Sequence, residues 1–246
     1  MTGPLKTSVI DGVMNVTLNT PDDHNRMDRR MMAAIVEAME AADADTSVRV
    51  IVLTGAGEFF CAGGRVDGWP KGTLKQRTDY AQAFCSMQER MGRTAAPIIA
   101  AVTGHCTAGG MSLLSFCDLA VASDDVEFGY PEAKKGQFPA LALAMLVPMM
   151  PSKRAFDLLY TGERFTAAEA LNLMLVNKVV KRAQVVDEVE RYVAAIKRLN
   201  PTAVGLGRKA FYAMVPMSPP QRLSYAQSFL TTMLLAEEAE AATKTR

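Results

Sequence analysis

The chain has 246 residues, 49% of them hydrophobic and 22% charged, with a formal net charge of +1. That length buries a sizeable core, and the composition is that of a globular protein. A near-neutral balance without a Lys/Arg block argues against nucleic acid as a ligand. No run of about 18 apolar residues occurs, so no membrane span is expected. The opening MTGPLKTSVIDG has no apolar signal segment, so the expected location is cytoplasmic. Cys61, Cys85, Cys106 and Cys117 sit in apolar runs without a CxxC pair and read as reduced thiols. Only His24 and His105 are present, with no HExxH, so no metal site is expected.

Thr7 to Ile10 and Val13 to Leu18 alternate as two strands, with Asp11-Gly12 as a two-residue hairpin turn. A polar loop, NTPDDHNR, leads to Asp28, which caps a helix running to about Ala44. Val48 to Leu53 is a continuously apolar strand of the parallel kind covered on both faces. Phe59 to Ala62 is a short strand ending in Gly63-Gly64, and Arg65 to Gly72 is a loop. Leu74 to Arg93 is a helix with Tyr80, Phe84, Met87 and Met91 on one side.

The strand Ile98 to Val102 runs into Gly104-His105-Cys106-Thr107-Ala108-Gly109-Gly110-Met111 and an apolar helix to Phe116. Leu119 to Ala122 and Val126 to Gly129 are strands. An apolar, methionine-rich stretch follows Pro131. Ser152 and Thr166 cap helices, and Asn177 to Val180 is the last strand. Val185–Leu199, Thr202–Met214 and Pro219 to about Ala242 read as three helices. Alternating strands and helices define an α/β class with parallel pairing.

The glycine stretches lack GxxxxGK[ST], GxGxxG and GxSxG. What the chain has is a pair of similar turns after strands, Cys61-Ala62-Gly63-Gly64 and Thr107-Ala108-Gly109-Gly110. Small residues allow close approach to the backbone. Two such turns can aim two N–H groups at one oxygen, as in an oxyanion hole, where one donor is worth roughly 3–4 kcal/mol. Taken singly, each reads rather as a tight turn that binds nothing.

The segments NTPDDHNRMD, VRVIVLTGAGEFFCAGG, PIIAAVTGHCTAGGMSLLSFCDLAVAS, EFGYPEAKKG and LLYTGERFTAAEALNLMLVNKVV resemble, in order, the crotonase superfamily, the enoyl-CoA hydratase/isomerase family. The resemblance implies a spiral of ββα units over residues 1–184, carrying acyl-CoA binding and catalysis. It implies a C-terminal helical region, 185–246, that supports homotrimers or hexamers. It also implies an acyl-CoA substrate, with coenzyme A part of the thioester and no separate cofactor. By motif position the oxyanion donors are the backbone N–H groups of Gly64 and Gly109. Substrate or CoA contacts fall to Arg26, Ala62, Arg65, Val66, Trp69, Tyr130 and Lys209. For Arg65 both a CoA phosphate and solvent stand as partners. Tyr130 reads as a hydroxyl donor or a packed ring, Lys209 as a CoA contact or a solvated helix residue.

Family hydratases carry two glutamates. Here one position is Glu132, in Gly129-Tyr130-Pro131-Glu132, and the other is Ser112. Adding water across a double bond suits two carboxylates, whereas one suffices to move a proton between C2 and C4. A carboxylate in an apolar pocket has a raised pKa, suited to taking and returning a proton. The favoured reading is double-bond isomerisation with Glu132 as acid/base. Hydration with a water held by Ser112 is the runner-up. Other thioester chemistry (hydrolysis, decarboxylation) and acyl-CoA binding with little turnover are the remaining readings. For Glu132 the alternative is a solvated cap carboxylate, and for His105 a packed ring rather than a base.

Overall fold

The computed structural model describes residues 3–66 and 72–244. Strand β1 (Leu5–Ile10) pairs antiparallel with β2 (Val13–Leu18), Ile10 opposite Val13. The turn between them has φ +48° at Asp11 and +74° at Gly12. Positive φ at both central residues is the type I′ geometry that an Asp-Gly pair favours. Asp28 caps α1 (Arg29–Ala44), its Oδ1 accepting the Met31 N–H at 2.8 Å. Strands β3 (Val50–Gly55) and β4 (Phe59–Cys61) precede α2 (Leu74–Arg93), which opens with a capping box between Thr73 and Gln76.

Next come β5 (Ile98–Val102), β6 (His105–Thr107) and α3 (Gly109–Ser115), then β7 (Leu119–Ser123) and β8 (Glu127–Gly129). A 3-10 turn, Pro131–Lys135, leads to α4 (Ala140–Met149) and α5 (Ser152–Thr161). Strand β9 (Arg164–Thr166), α6 (Ala167–Asn172) and β10 (Lys178–Val180) complete the sheets. Helices α7 (Val185–Lys197), α8 (Pro201–Met214) and α9 (Pro219–Lys244) follow.

From β3 to β8 successive strands alternate between two sheets, ordered β1-β2-β3-β5-β7-β10 and β4-β6-β8-β9. Pairing is parallel except for β1 with β2 and β8 with β9. This is the mixed α/β architecture of repeated strand–strand–helix units with a helical C-terminal region. The larger sheet is covered on both faces. Ile51, Leu53, Ile98 and Ala100 join the main core with α1 and α2 residues such as Ile35, Phe84 and Met87. Val50, Ile99 and Val121 on the other face bury Val185 and Val189 of α7. The expected division at 184/185 thus falls where a 3-10 turn, Arg182–Gln184, passes into α7.

Helix α8 is tied on by charge. Arg208, 8% exposed, donates through Nε to both carboxylate oxygens of Asp118 at 2.8 Å, and through Nη1 to the Gly92 and Thr94 carbonyls. Asp118 also accepts from the Ile98 N–H (2.7 Å) and the Tyr212 hydroxyl (3.2 Å). Helix α9 leaves Leu223, Leu230, Leu234 and Leu235 exposed. Among the described residues no helix is long and apolar enough to cross a membrane.

The structure departs from the sequence reading at four places. The stretch between β5 and α3 holds an extra strand, β6, and α3 begins at Gly109 rather than Met111. Residues 140–149 form a helix although they show no helical stripe, because ALALAMLVPM is apolar on every side. Strand β9 is three residues long, too short for a period of two to be visible. Ser152 is the first residue of α5, with Pro151 in the cap position and no side-chain cap bond.

Candidate active site

The two glycine turns interlock. Gly63 has φ +96°, and a Cβ there would lie 2.6 Å from the Ala108 Cβ and 2.8 Å from the Gly109 nitrogen. A Cβ on Gly110 would meet the Cys61 carbonyl oxygen at 2.2 Å. The two turns therefore touch because Gly63 and Gly110 carry no side chain. The Gly64 nitrogen lies only 3.3 Å from where a Gly109 Cβ would be. Among the described residues neither the Gly64 nor the Gly109 N–H has an acceptor. The Gly109 N–H is one of the donors a helix start leaves open. Ala108, just before it, has φ +53° and ψ −130°, a strained setting for a residue with a Cβ.

A third segment braces the first turn. Met27 forms a parallel bridge with Gly64: its N–H donates to Gly63 O (2.7 Å) and its carbonyl accepts from the Arg65 N–H (2.9 Å). The Ala62 N–H donates to His24 O at 3.0 Å. Asn25, fully buried, accepts from the Thr20 N–H and donates to the Ala56 and Phe59 carbonyls. The Cys61 Sγ accepts from the Gly63 N–H at 3.4 Å. Burial pushes the Cys61 thiol up to about 12, so it stays neutral.

The second turn is held by β8. The Ala108 N–H donates to Gly129 O at 2.8 Å, and Thr107 is registered with Gly129. The chain then runs through Tyr130 into the 3-10 turn Pro131–Lys135, whose second residue is Glu132. One carboxylate oxygen of Glu132, Oε2, is buried with no hydrogen-bond partner among the described residues. Desolvation raises the Glu132 pKa above the ordinary glutamate range, opposed more weakly by a backbone hydrogen bond and the Lys135 charge. Ser112 lies on α3 one turn past Gly109, 2% exposed, and its hydroxyl has no partner among the described residues. Tyr130 is 1% exposed, a ring packed in the core.

The remaining sequence-derived positions are dispersed around this centre. Arg26 and Arg65 converge on one carboxylate: Arg26 Nε donates to Asp23 Oδ1 at 2.9 Å, and Arg65 Nε lies 3.2 Å from Asp23 Oδ2. Arg65 is half exposed, with Asp28 at 3.9 Å as a second partner. Val66 is half-buried against the core and Ala62 half-buried in the turn. Trp69 lies outside the described residues. Lys209 is exposed on α8, next to the buried Arg208. His105 packs on Phe59, and its Nδ1 accepts the Glu127 N–H at 3.0 Å, which pins β8 to β6. His24 is exposed with its ring against Phe59. By resemblance the Asn25-Arg26 loop surrounds the CoA, but sequence reasoning missed the bracing bonds of Asn25, and Tyr80 altogether, as builders of the site. The Asn25 signal was available, since a left-handed φ (here +53°) is a role asparagine fills readily.

Comparison with known proteins agrees with this architecture. The sequence profile described as "Enoyl-CoA hydratase/isomerase" matches residues 9–243. The chain belongs to the enoyl-CoA hydratase/isomerase family. It is 35% identical over 193 residues to enoyl-CoA hydratase EchA19 of Mycobacterium tuberculosis, covering 77% of this chain and 73% of that protein. It is 34% identical over 221 residues to the human mitochondrial enoyl-CoA hydratase domain-containing protein 3, covering 87% and 71%. The crystal structure of an enoyl-CoA hydratase from Mycobacterium smegmatis superposes with a TM-score of 0.92 at 30% identity, covering 100% of this chain and 98% of that one.

Proposed function

We propose that the protein is an enoyl-CoA isomerase that shifts a double bond from the 3 to the 2 position of an acyl-CoA thioester, with Glu132 as the single acid/base. The thioester oxygen accepts the Gly64 and Gly109 N–H bonds. The Glu132 carboxylate takes a proton from C2, and the electron pair spreads through the dienolate onto that oxygen. The protonated Glu132 returns the proton to C4, leaving the conjugated 2-enoyl thioester. The observation that carries this reading is the buried, partnerless Oε2 of Glu132, three residues past the Gly129 carbonyl that holds the second glycine turn, together with two N–H groups without acceptors among the described residues. A desolvated carboxylate with a raised pKa both accepts and releases a proton at modest cost. Ser112 supplies no second carboxylate, which favours proton transfer over addition of water.

In this proposal coenzyme A enters with the substrate, and Arg26 and Arg65, which meet at Asp23, Arg65 directly following the first glycine turn in sequence, offer cations to its phosphates. Ala62, Val66, Trp69, Tyr130 and Lys209 complete the proposed substrate contacts. The proposed assembly is a homotrimer or hexamer, supported by the exposed leucines of α9. A cytoplasmic location is supported by four free cysteines.

The second reading is enoyl-CoA hydration. It is favoured by the hydratase names of the relatives and by Ser112, whose hydroxyl, without a partner among the described residues, can hold a water. The test follows absorbance of the conjugated thioester. A 3-enoyl-CoA should gain absorbance with this protein and lose that gain in Glu132→Gln. Rapid loss of absorbance from a 2-enoyl-CoA, without isomerisation, decides for hydration. Binding without turnover of either substrate decides against both.

A further inference from the structure

We propose that Tyr80 is a positioning residue for the oxyanion site, and that α2 sets the spacing of the two N–H donors through Tyr80 and Phe84. This rests on the oxyanion reading of Gly64 and Gly109 given above.

The geometry is specific. The Tyr80 hydroxyl donates to Met27 O at 2.8 Å, the same carbonyl that accepts the Arg65 N–H. It lies 2.4 Å from the point a Cβ on Gly64 would occupy, with the ring Cζ at 3.3 Å. So the phenol tip fills the space behind Gly64. One helical turn on, Phe84 places its Cε2 at 3.3 Å from the corresponding point on Gly109. Met27 closes the gap from the opposite strand, its Cε 3.4 Å from the same point.

Residues four apart lie on one face of a helix, so α2 presents one ring to each donor glycine. Tyr80 is 8% and Phe84 2% exposed, and Met87 and Met91 continue the face into the core. A rigid helix anchored by such packing holds its rings to a fraction of an ångström. That precision matters because donors stabilise a developing oxyanion only at the right distance. The hydroxyl adds what a phenylalanine would lack: a bond to the carbonyl through which Met27 is bridged to Gly64.

The experiment uses the full-length protein and two variants, with butanoyl-CoA carrying an isotope-labelled carbonyl as an unreactive probe. In the wild type the bound carbonyl stretch falls to lower frequency than in free butanoyl-CoA. In Tyr80→Phe the shift shrinks and kcat on a 3-enoyl-CoA falls about tenfold, the scale of one lost hydrogen bond. The butanoyl-CoA Kd stays within about twofold, a split that mere loss of fold does not produce. Gly64→Ala loses about a hundredfold or more, because its methyl meets the Tyr80 hydroxyl. Adding Tyr80→Phe to Gly64→Ala recovers about tenfold, since the ring alone yields by a small tilt.

A wild-type shift and kcat in Tyr80→Phe overturn the proposal. So does a double variant no better than Gly64→Ala, which also decides the matter if Tyr80→Phe alone folds poorly. Absence of any carbonyl shift in the wild type removes the oxyanion reading itself, and Tyr80 with it. A wild-type shift that Tyr80→Phe leaves intact removes Tyr80 alone.

Discussion

Two carboxylates, Glu132 and Asp118, each begin a turn or strand beside the core, and their surroundings are opposite. Asp118 accepts from Arg208, Tyr212 and the Ile98 N–H. Glu132 has a buried oxygen with no partner among the described residues. A satisfied carboxylate gains from staying ionised and holds its neighbours in place. An unsatisfied one is held uneasily in its charged form, which is the state a proton-transfer group needs. Under the proposed mechanism the contrast separates where this fold keeps its stability from where it keeps its chemistry.

The sharpest way to break that contrast is to exchange the two effects. Glu132→Gln should lower isomerisation by about a hundredfold to ten-thousandfold, the range for a lost acid/base group. Its melting temperature at neutral pH should hold or rise, because the desolvated charge is gone. A variant that melts earlier and keeps its rate would reverse the assignment. Asp118→Ala should do the opposite. It leaves a buried guanidinium unpaired, which costs about 3 kcal/mol, the low end for breaking a buried ion pair since Asp118 is 22% exposed. Denaturant unfolding should show this, while the rate per folded molecule changes little.

Titration sharpens the comparison further. The Glu132 pKa is raised, so the folded state holds that proton more tightly than the unfolded chain. The stability it contributes is complete below the ordinary glutamate pKa and is lost as pH rises through its folded value. The stability advantage of Glu132→Gln over wild type should therefore appear on raising the pH and vanish in acid. Over the same interval kcat/KM should climb as the base form appears, and a pH-independent rate would count against Glu132 as the base.

Smaller effects test the neighbours. Ser112→Ala should leave isomerisation within about threefold and abolish any slow hydration, whereas a large loss of isomerisation would give Ser112 a direct part in the proton transfer. Arg65→Ala should change stability by less than about 1 kcal/mol, because its ion pairs are half exposed, and raise KM for the CoA ester modestly. Unchanged KM would leave Arg65 as a solvated partner of Asp23.

Much of the frame was legible because it is written in local chemistry. Asp11-Gly12 specifies a type I′ turn, Asp28 and Thr166 are cap residues, and VRVIVL states that both faces of its strand are covered. Helix α4 was not legible, since a helix apolar on all sides has no stripe to count. At the site, the two glycine turns could be read, but their interlocking could not. Contact between Gly63 and Ala108 depends on β4 pairing beside β6 in the smaller sheet, a partner far away in sequence. The same holds for Asp118 and Arg208, ninety residues apart, and for Tyr80, whose spacing announces a core ring and says nothing of the carbonyl it bonds.

The bridge between Met27 and Gly64 has a consequence for how the protein is made. The site gathers residues 25–27, 62–65, 80–84, 107–112 and 129–132, and each piece closes a long loop onto the earlier ones. Pairings that distant form slowly, after local structure. A nascent chain that has reached Ser112 already carries both glycine turns and α2, yet not Glu132. Glu132 arrives last, in the 3-10 turn after β8, so in the proposed mechanism the polarising half is assembled before the half that moves a proton.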